Sequence, residues 1–335
     1  IFNNPTKIIF FFTLILGSMI SISSSSYWGT WMGLEINLLS FIPLVSNSKN
    51  LLTNQASIKY FIIQAFASSF LLFNFLISFL PMIAHPLPEF LILSVLFLKM
   101  GAAPFHFWFP EVINNLSWNM ALILLTWQKI APMMIMSYFI PFMSIFIMFF
   151  SISSITMGSI MGINQTSIRK ILAFSSINHI GWMILAIMIN ESLWSLYFLI
   201  YSLMNMIIIL MVNNMNISFL NQFFFSNYNT TYKISILLTF FSILGLPPFI
   251  GFLPKWYIIQ SLIIYNQFII LIFLVLMSSL TLYFYMRIIF SSSLLTYPEM
   301  KWNKPTVTNM SLYMNSILLF NFLGLLLTSF FMLLI

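Results

Sequence analysis

Cysteine and aspartate are absent from all 335 residues, and only 5% of the chain is charged. Without cysteine there is no disulfide, no thiolate metal site and no cysteine-ligated iron–sulfur cluster, and the redox compartment leaves no mark. Electron transfer therefore belongs elsewhere. Soluble domains carry about 25% charged residues, so a water-facing surface cannot be built from this supply. The five acids, all glutamate, face twelve Lys and Arg, for a net charge of +7. In a soluble protein that excess would suggest nucleic acid, but in an apolar chain it reflects the positive-inside bias, and no nucleic-acid partner is expected. A cleavable signal is not expected either, because the first apolar run follows Lys7 alone and lacks a small-residue cleavage site. The first residue, Ile1, and the weight of Phe, Met, Ile and Asn point to organellar translation from AT-rich codons.

What the chain has in quantity is hydrocarbon: 61% of its residues are hydrophobic, in repeated runs of roughly 18 or more, the length of a membrane-spanning helix. The reading is an all-α polytopic membrane protein, one membrane domain over 1–335. Its runs are 7–24, 27–46, 57–80, 90–108, 118–137, 142–162, 168–189, 192–212, 234–264, 267–290 and 311–335, or about eleven transmembrane helices. The stretch 234–264 would extend ~46 Å as one helix. It contains Gly245, Pro247, Pro248, Gly251 and Pro254, so it reads as a helix broken near mid-membrane.

Charge tests the count. With these spans, Lys7, Lys49, Lys59, Arg169, Lys170, Lys233, Arg287, Lys301 and Lys304 fall on the N-terminal face with Glu111 and Glu299, while the opposite face holds only Glu89 and Glu191. A wrong number of helices would scramble that segregation, and the rule puts the N-terminus on the cytoplasm-equivalent side, the matrix in a mitochondrion.

Glu35, Lys99, Lys129 and Lys255 remain, all inside spans. Lys99 lies nine residues from either end of 90–108 and Lys129 is similarly central, too deep for a lysine stem to reach the interface. An intramembrane charge costs about 2.5–3.5 kcal/mol on insertion scales and is a functional candidate by default. Burial favours a neutral amine and a nearby carboxylate favours the ammonium, so a lysine between the two is switched by modest changes in neighbouring charge. His179, within Ser175-Ser176-Ile177-Asn178-His179, adds a group that titrates near neutrality. Linked by water, Glu35, Lys99, Lys129, His179 and Lys255 would form a proton relay.

The bland readings are a structural ion pair for each lysine, although three lysines share one central glutamate, and a neutral core histidine for His179. His106, near the end of its span, and His85, beside Pro86, read as structural or exposed. The Phe and Met stripes read as core or lipid-facing packing.

Lys99 precedes Gly101-Ala102-Ala103-Pro104, and Lys255 follows Gly245 to Pro254. Two interrupted spans at matching positions point to an inverted-repeat transporter. The expected organisation is a first five-helix repeat over about 1–137, a second over 142–290 and a C-terminal helix over 311–335. Lys99 and Lys255 then sit on the fourth helix of each repeat, and Glu35 and His179 on the second.

Along essentially its whole length the chain resembles the subunit 2 family of mitochondrial NADH:ubiquinone oxidoreductase, respiratory complex I. The motifs that carry the resemblance are Trp31 to Asn37, Leu98 to Trp108, Trp127 to Pro132, Ser175 to Trp182 and Gly245 to Trp256. Their order and type together are specific, while each alone is weak. The resemblance implies an antiporter-like, proton-translocating subunit of the membrane arm, driven by quinone reduction elsewhere. It implies that Glu35 is paired with Lys99, that Lys129 is the next channel lysine, that His179 is the central-axis histidine and that Lys255 is the lysine of the second broken helix. NADH, FMN, iron–sulfur clusters and ubiquinone would lie on other subunits, with no cofactor or metal in this chain. The partners implied are the other membrane-arm subunits, in a hetero-oligomer, together with membrane lipids, and the location is the mitochondrial inner membrane. The chain departs from the fourteen-helix pattern of bacterial relatives by lacking three N-terminal helices. Two other readings stay open: a stand-alone cation/proton antiporter, which would exchange cations for protons by itself, and a purely structural subunit, which would survive neutralisation of its central lysines.

Overall fold

In the computed structural model, residues 5–47, 50–79, 86–139, 144–225 and 230–293 are described. They form fourteen helices. Apart from an isolated bridge between Ser167 and Phe219, no strand pairing occurs among the described residues. Helix is the outcome hydrocarbon demands, since every backbone N–H and C=O must be satisfied within its own segment.

The helices are α1 (Pro5–Ser23), α2 (Tyr27–Val45), α3 (Leu51–Ser78), α4 (Pro86–Met100), α5 (Trp108–Asn115), α6 (Trp118–Leu125), α7 (Trp127–Ser137), α8 (Ser144–Gly162), α9 (Ile168–Ile189), α10 (Glu191–Met215), α11 (Leu220–Phe225), α12 (Thr230–Leu244), α13 (Phe252–Ile264) and α14 (Phe268–Ser293). Among the described residues seven helices are long and apolar enough to cross a membrane: α1, α3, α6 with α7, α8, α9, α10 and Phe268–Phe290 of α14. The chain is thus a mostly helical, polytopic membrane protein. Of the other expected spans, 27–46 overlaps α2, 90–108 overlaps α4 and 234–264 overlaps α12 and α13, while 311–335 lies outside the described residues.

The chain divides into two compact units, one of residues 1–157 and 176–191, the other of 158–175 and 192–335. In the first, α1 and α2 form a close hairpin because glycines face each other. A Cβ on Gly33 would come within 2.5 Å of Ser21 N, and one on Gly17 within 2.9 Å of Asn37 N, the small-residue contact that membrane helices use to approach. Ser26 caps α2 by accepting from Gly29 N at 3.3 Å. An exposed ion pair joins Lys59 of α3 to Glu111 of α5 at 2.8 Å, consistent with the expectation that both lie on one face. Exposed pairs contribute about 0–1 kcal/mol, so Lys59→Gln is expected to leave the thermal midpoint of the solubilised protein nearly unchanged. A large shift would show that the pair does more than decorate the surface.

The interruption expected after Lys99 is present: the run 90–108 stops as a helix at Met100 and the next helix starts at Trp108, leaving Lys99 one residue from a helix end. One span read from sequence as continuous is not. The run 118–137 is interrupted at Thr126, whose hydroxyl bonds back to Leu122 O at 2.8 Å. In α7, Pro132 removes the N–H that would have met the Gln128 carbonyl, four residues earlier. The expected break in 234–264 is present, with α12 ending at Leu244 and α13 starting at Phe252. Helix α11 has no counterpart among the expected spans.

The breaks after α4 and α12 share one local geometry. Gly101 (φ +75°) and Gly245 (φ +74°) take the left-handed conformation. Gly101 N bonds to Leu98 O and Ala102 N to Phe97 O; Gly245 N bonds to Ser242 O and Leu246 N to Phe241 O. This is the Schellman ending, in which glycine reverses the chain and recovers orphan carbonyls.

Candidate functional site

Each of these endings delivers a lysine to the carbonyl end of a half-helix. Lys99 is in the last turn of α4. Lys255, in the first turn of α13, reaches back so that its Nζ donates to Leu244 O at the end of α12, at 2.8 Å. A helix C-terminus carries partial negative charge from its unpaired carbonyls, so an ammonium is stabilised there. Two carbonyls at the end of α4 also accept from side chains: Trp108 Nε1 donates to Leu98 O at 3.2 Å and Gln64 Nε2 to Lys99 O at 3.1 Å.

All three lysines are inside the protein, with Lys99 8%, Lys129 1% and Lys255 6% exposed. In the first unit Lys99 and Lys129 line a common cavity of about 20 Å³, together with Asn37, Tyr60, Gln64 and Gln128. That volume holds about one water molecule. Its polar walls are bonded to one another: Gln128 Nε2 donates to Asn37 Oδ1 at 2.9 Å, and the Tyr60 hydroxyl lies 3.5 Å from Gln128 Oε1. Lys129 Nζ also sits 5.5 Å from the centre of the Phe109 ring and donates at 3.5 Å to Ser176 O on α9. Ser176 is three residues from His179, so both lie on one face of that helix. His179 is buried, 8% exposed.

Glu35 on α2 is half-buried. Its Oε2 is enclosed without a hydrogen-bond partner. No ion pair closes between it and Lys99. Glu35, Lys99, Lys129 and His179 thus belong to the first unit and Lys255 to the second. His106 is buried, its Nδ1 3.2 Å from Pro104 O, while His85 lies outside the described residues. Among the described residues no group of three or more His, Cys, Asp and Glu side chains could hold a metal ion.

Sequence reasoning missed the neutral wall of the cavity. Asn37 and Gln128 stood in the quoted motifs without a role, and Gln64 and Tyr60 were passed over. Gln64 was detectable as an amide in the middle of an otherwise apolar span, where an unpaired polar group is costly.

The family described as NADH:quinone oxidoreductase/Mrp antiporter, TM, matches residues 24–281. NADH-ubiquinone oxidoreductase chain 2 of Anopheles gambiae is 52% identical over 324 residues, 94% of each chain. The protein of that name from Locusta migratoria is 46% identical over 340 residues, covering 100% of this chain and 99% of its own. Among solved structures, respiratory complex I from Thermus thermophilus with bound aureothin contains a chain of the same fold. Its TM-score is 0.82 at 22% identity, over 96% of this chain and 78% of that one. A chain of the Mrp complex from a Dietzia species gives a TM-score of 0.68 at 16% identity, over 83% of this chain and 59% of that one. Buried lysines at half-helix ends thus occur in a chain whose sequence and fold agree on one lineage: it belongs to the NADH:quinone oxidoreductase/Mrp antiporter membrane family, among the NADH-ubiquinone oxidoreductase chain 2 proteins.

Proposed function

We propose that this chain is a proton-translocating, antiporter-like membrane subunit of NADH:ubiquinone oxidoreductase, with Glu35, Lys99, Lys129, His179 and Lys255 as its relay. The observation that carries the reading is that two buried amines, Lys99 and Lys129, line one polar cavity. An amine pair sharing a water-sized space has the elements of a proton hop: a donor, an acceptor and room for a bridging molecule. Glu35 is the carboxylate that acts on Lys99, and the Ser176 carbonyl that accepts from Lys129 lies one helical turn from His179, to which water would carry the proton. Lys255 takes the corresponding role in the second unit, at the end of α12. Quinone reduction elsewhere in the complex changes charge beside Glu35, and the amines answer by exchanging protons.

The two five-helix repeats, 1–137 and 142–290, with a last helix at 311–335, make eleven spans in this reading, and the matching Schellman endings at Gly101 and Gly245 support the repeat. NADH, FMN, iron–sulfur clusters and ubiquinone belong to other subunits; the absence of cysteine supports that division for the clusters. The chain lies in the mitochondrial inner membrane, as the animal relatives indicate, with its N-terminus on the matrix side. Apolar side chains open on α1, Ile9, Phe12 and Leu16 among them, are suited to lipid and to neighbouring membrane-arm subunits.

The test is Lys99→Met in the assembled complex in sealed vesicles, with NADH oxidation and proton uptake followed together. Coupled turnover is expected to fall by about tenfold or more while the complex still assembles. Full turnover with full pumping would remove Lys99 from the relay. Cation–proton exchange by the purified chain alone would favour a stand-alone antiporter instead.

A further inference from the structure

The two Schellman endings match in backbone but differ in what fills them. At the end of α12 the donor is Lys255 itself, whose Nζ binds Leu244 O at 2.8 Å. At the end of α4 the donors are neutral: Gln64 Nε2 binds Lys99 O at 3.1 Å and Trp108 Nε1 binds Leu98 O at 3.2 Å. Among the described residues no hydrogen bond or ion pair fastens Lys99 Nζ. One lysine is therefore clasped to a half-helix, and the other is not.

Gln64 lies at the middle of α3 (Leu51–Ser78), ~20 Å from either end, and is 5% exposed. An amide at that depth is costly unless paired, so the partner it takes is informative. The buried hydroxyls of α3 turn back on their own segment, Thr53 to Asn50 O, Ser57 to Asn54 O and Ser68 to Ala65 O, at 2.8–2.9 Å. Gln64 instead crosses to α4, onto the backbone of the residue whose side chain lines the cavity shared with Lys129. Polar contacts between membrane helices also serve as plain glue. Glue does not explain why two donors, one from α3 and one from α5, converge on consecutive carbonyls at the end of α4 that carries an amine.

The partial negative charge of a helix C-terminus resides on its unsatisfied carbonyls. Basic side chains in the last turn bond to those carbonyls where they are open. Neutral donors that occupy them first weaken the hold on a nearby ammonium and add no charge of their own.

We infer that Gln64 is a positioning residue for Lys99: with Trp108 it occupies the carbonyl end of α4, so that the Lys99 amine stays turned to the cavity and exchanges protons there instead of clamping onto its own half-helix. Gln64 acts through Lys99 and carries no proton itself. This inference rests on the relay reading above.

The test uses the assembled oxidoreductase in sealed vesicles. Gln64→Leu, which removes the donor and keeps a side chain of similar bulk, is expected to slow coupled turnover about tenfold. Its solvent deuterium isotope effect is expected to rise, because proton release from Lys99 becomes limiting. Gln64→His, whose ring N–H has a similar reach, is expected to stay within about twofold of the parent, as is Ile62→Ala on the exposed side of α3. A parent-like rate and isotope effect in Gln64→Leu overturn the inference. So does a Gln64→His variant as slow as Gln64→Leu, since shape and not the donor would then matter. Should Gln64→Leu not assemble, Trp108→Phe, which removes the second donor and keeps an aromatic ring, is expected to slow turnover about threefold with the same rise in isotope effect; parent-like values there overturn the inference as well. Lys99→Met separates the two ideas. In that background Gln64→Leu is expected to cost nothing more, and a further loss of about tenfold overturns action through Lys99. If Lys99→Met is impaired while the Gln64 and Trp108 variants are parent-like, only the positioning role fails; if it is itself parent-like, the relay reading fails with it.

Discussion

Lys129→Met is expected to leave the complex assembled and to lower its coupled turnover by the order of a hundredfold, the lower end of what a positioned proton carrier contributes. The two halves of that result have separate causes. Lys129 is 1% exposed, and methionine has a similar unbranched length and adapts to irregular cores. Replacing a buried charge by a well-packed apolar side chain is often neutral or stabilising. Its bond to Ser176 O, at 3.5 Å, is long. Structure therefore survives, but the group proposed to take up and release a proton beside Lys99 does not. Lys129→Arg sharpens the result, because a guanidinium keeps the charge and does not deprotonate in proteins; it is expected to fail too. Assembly is read from the native-size complex, turnover from NADH oxidation in sealed vesicles. If either variant pumps and turns over like the parent, Lys129 is packing and not a carrier.

Gly251→Ala is expected to do the reverse, costing about 3 kcal/mol, at the upper end of ordinary overpacking, and sharply reducing the amount of assembled complex. A methyl group there would overlap the Ser242 carbonyl oxygen, and no flexible side chain is available to move aside. The same turn packs Gly251 O close to Gly245, whose added Cβ would meet it at 3.0 Å. Any shift that makes room for the methyl group also disturbs the Leu244 carbonyl held by Lys255 Nζ. Yield and thermal midpoint of the solubilised complex are the measurements. A parent-like midpoint would mean that the α12–α13 turn yields easily.

The break at 245–254 was legible because two glycines and three prolines interrupt a run too long for one span. The break after Met100 was legible as well, from Gly101 and Pro104 directly after Lys99. Thr126 was hidden, since a single threonine is ordinary in a membrane helix. The buried lysines announced themselves by charge alone, whereas Gln64, Asn37 and Tyr60, which wall the cavity beside them, are neutral and distant in sequence. Their convergence follows from α2, α3 and α4 packing together, which side-chain type does not encode. Lys255 was expected at a broken helix, but its reach back to the preceding half-helix depends on the turn angle at Gly245.

The hydrogen bond from Lys255 to Leu244 has a mechanical side. An amine and an ammonium both donate to that carbonyl, but only the ammonium adds ion–dipole attraction to the end of α12. Titrating this one nitrogen therefore loosens or tightens the clasp between two half-helices, so electrical state and backbone shape are registered by a single atom.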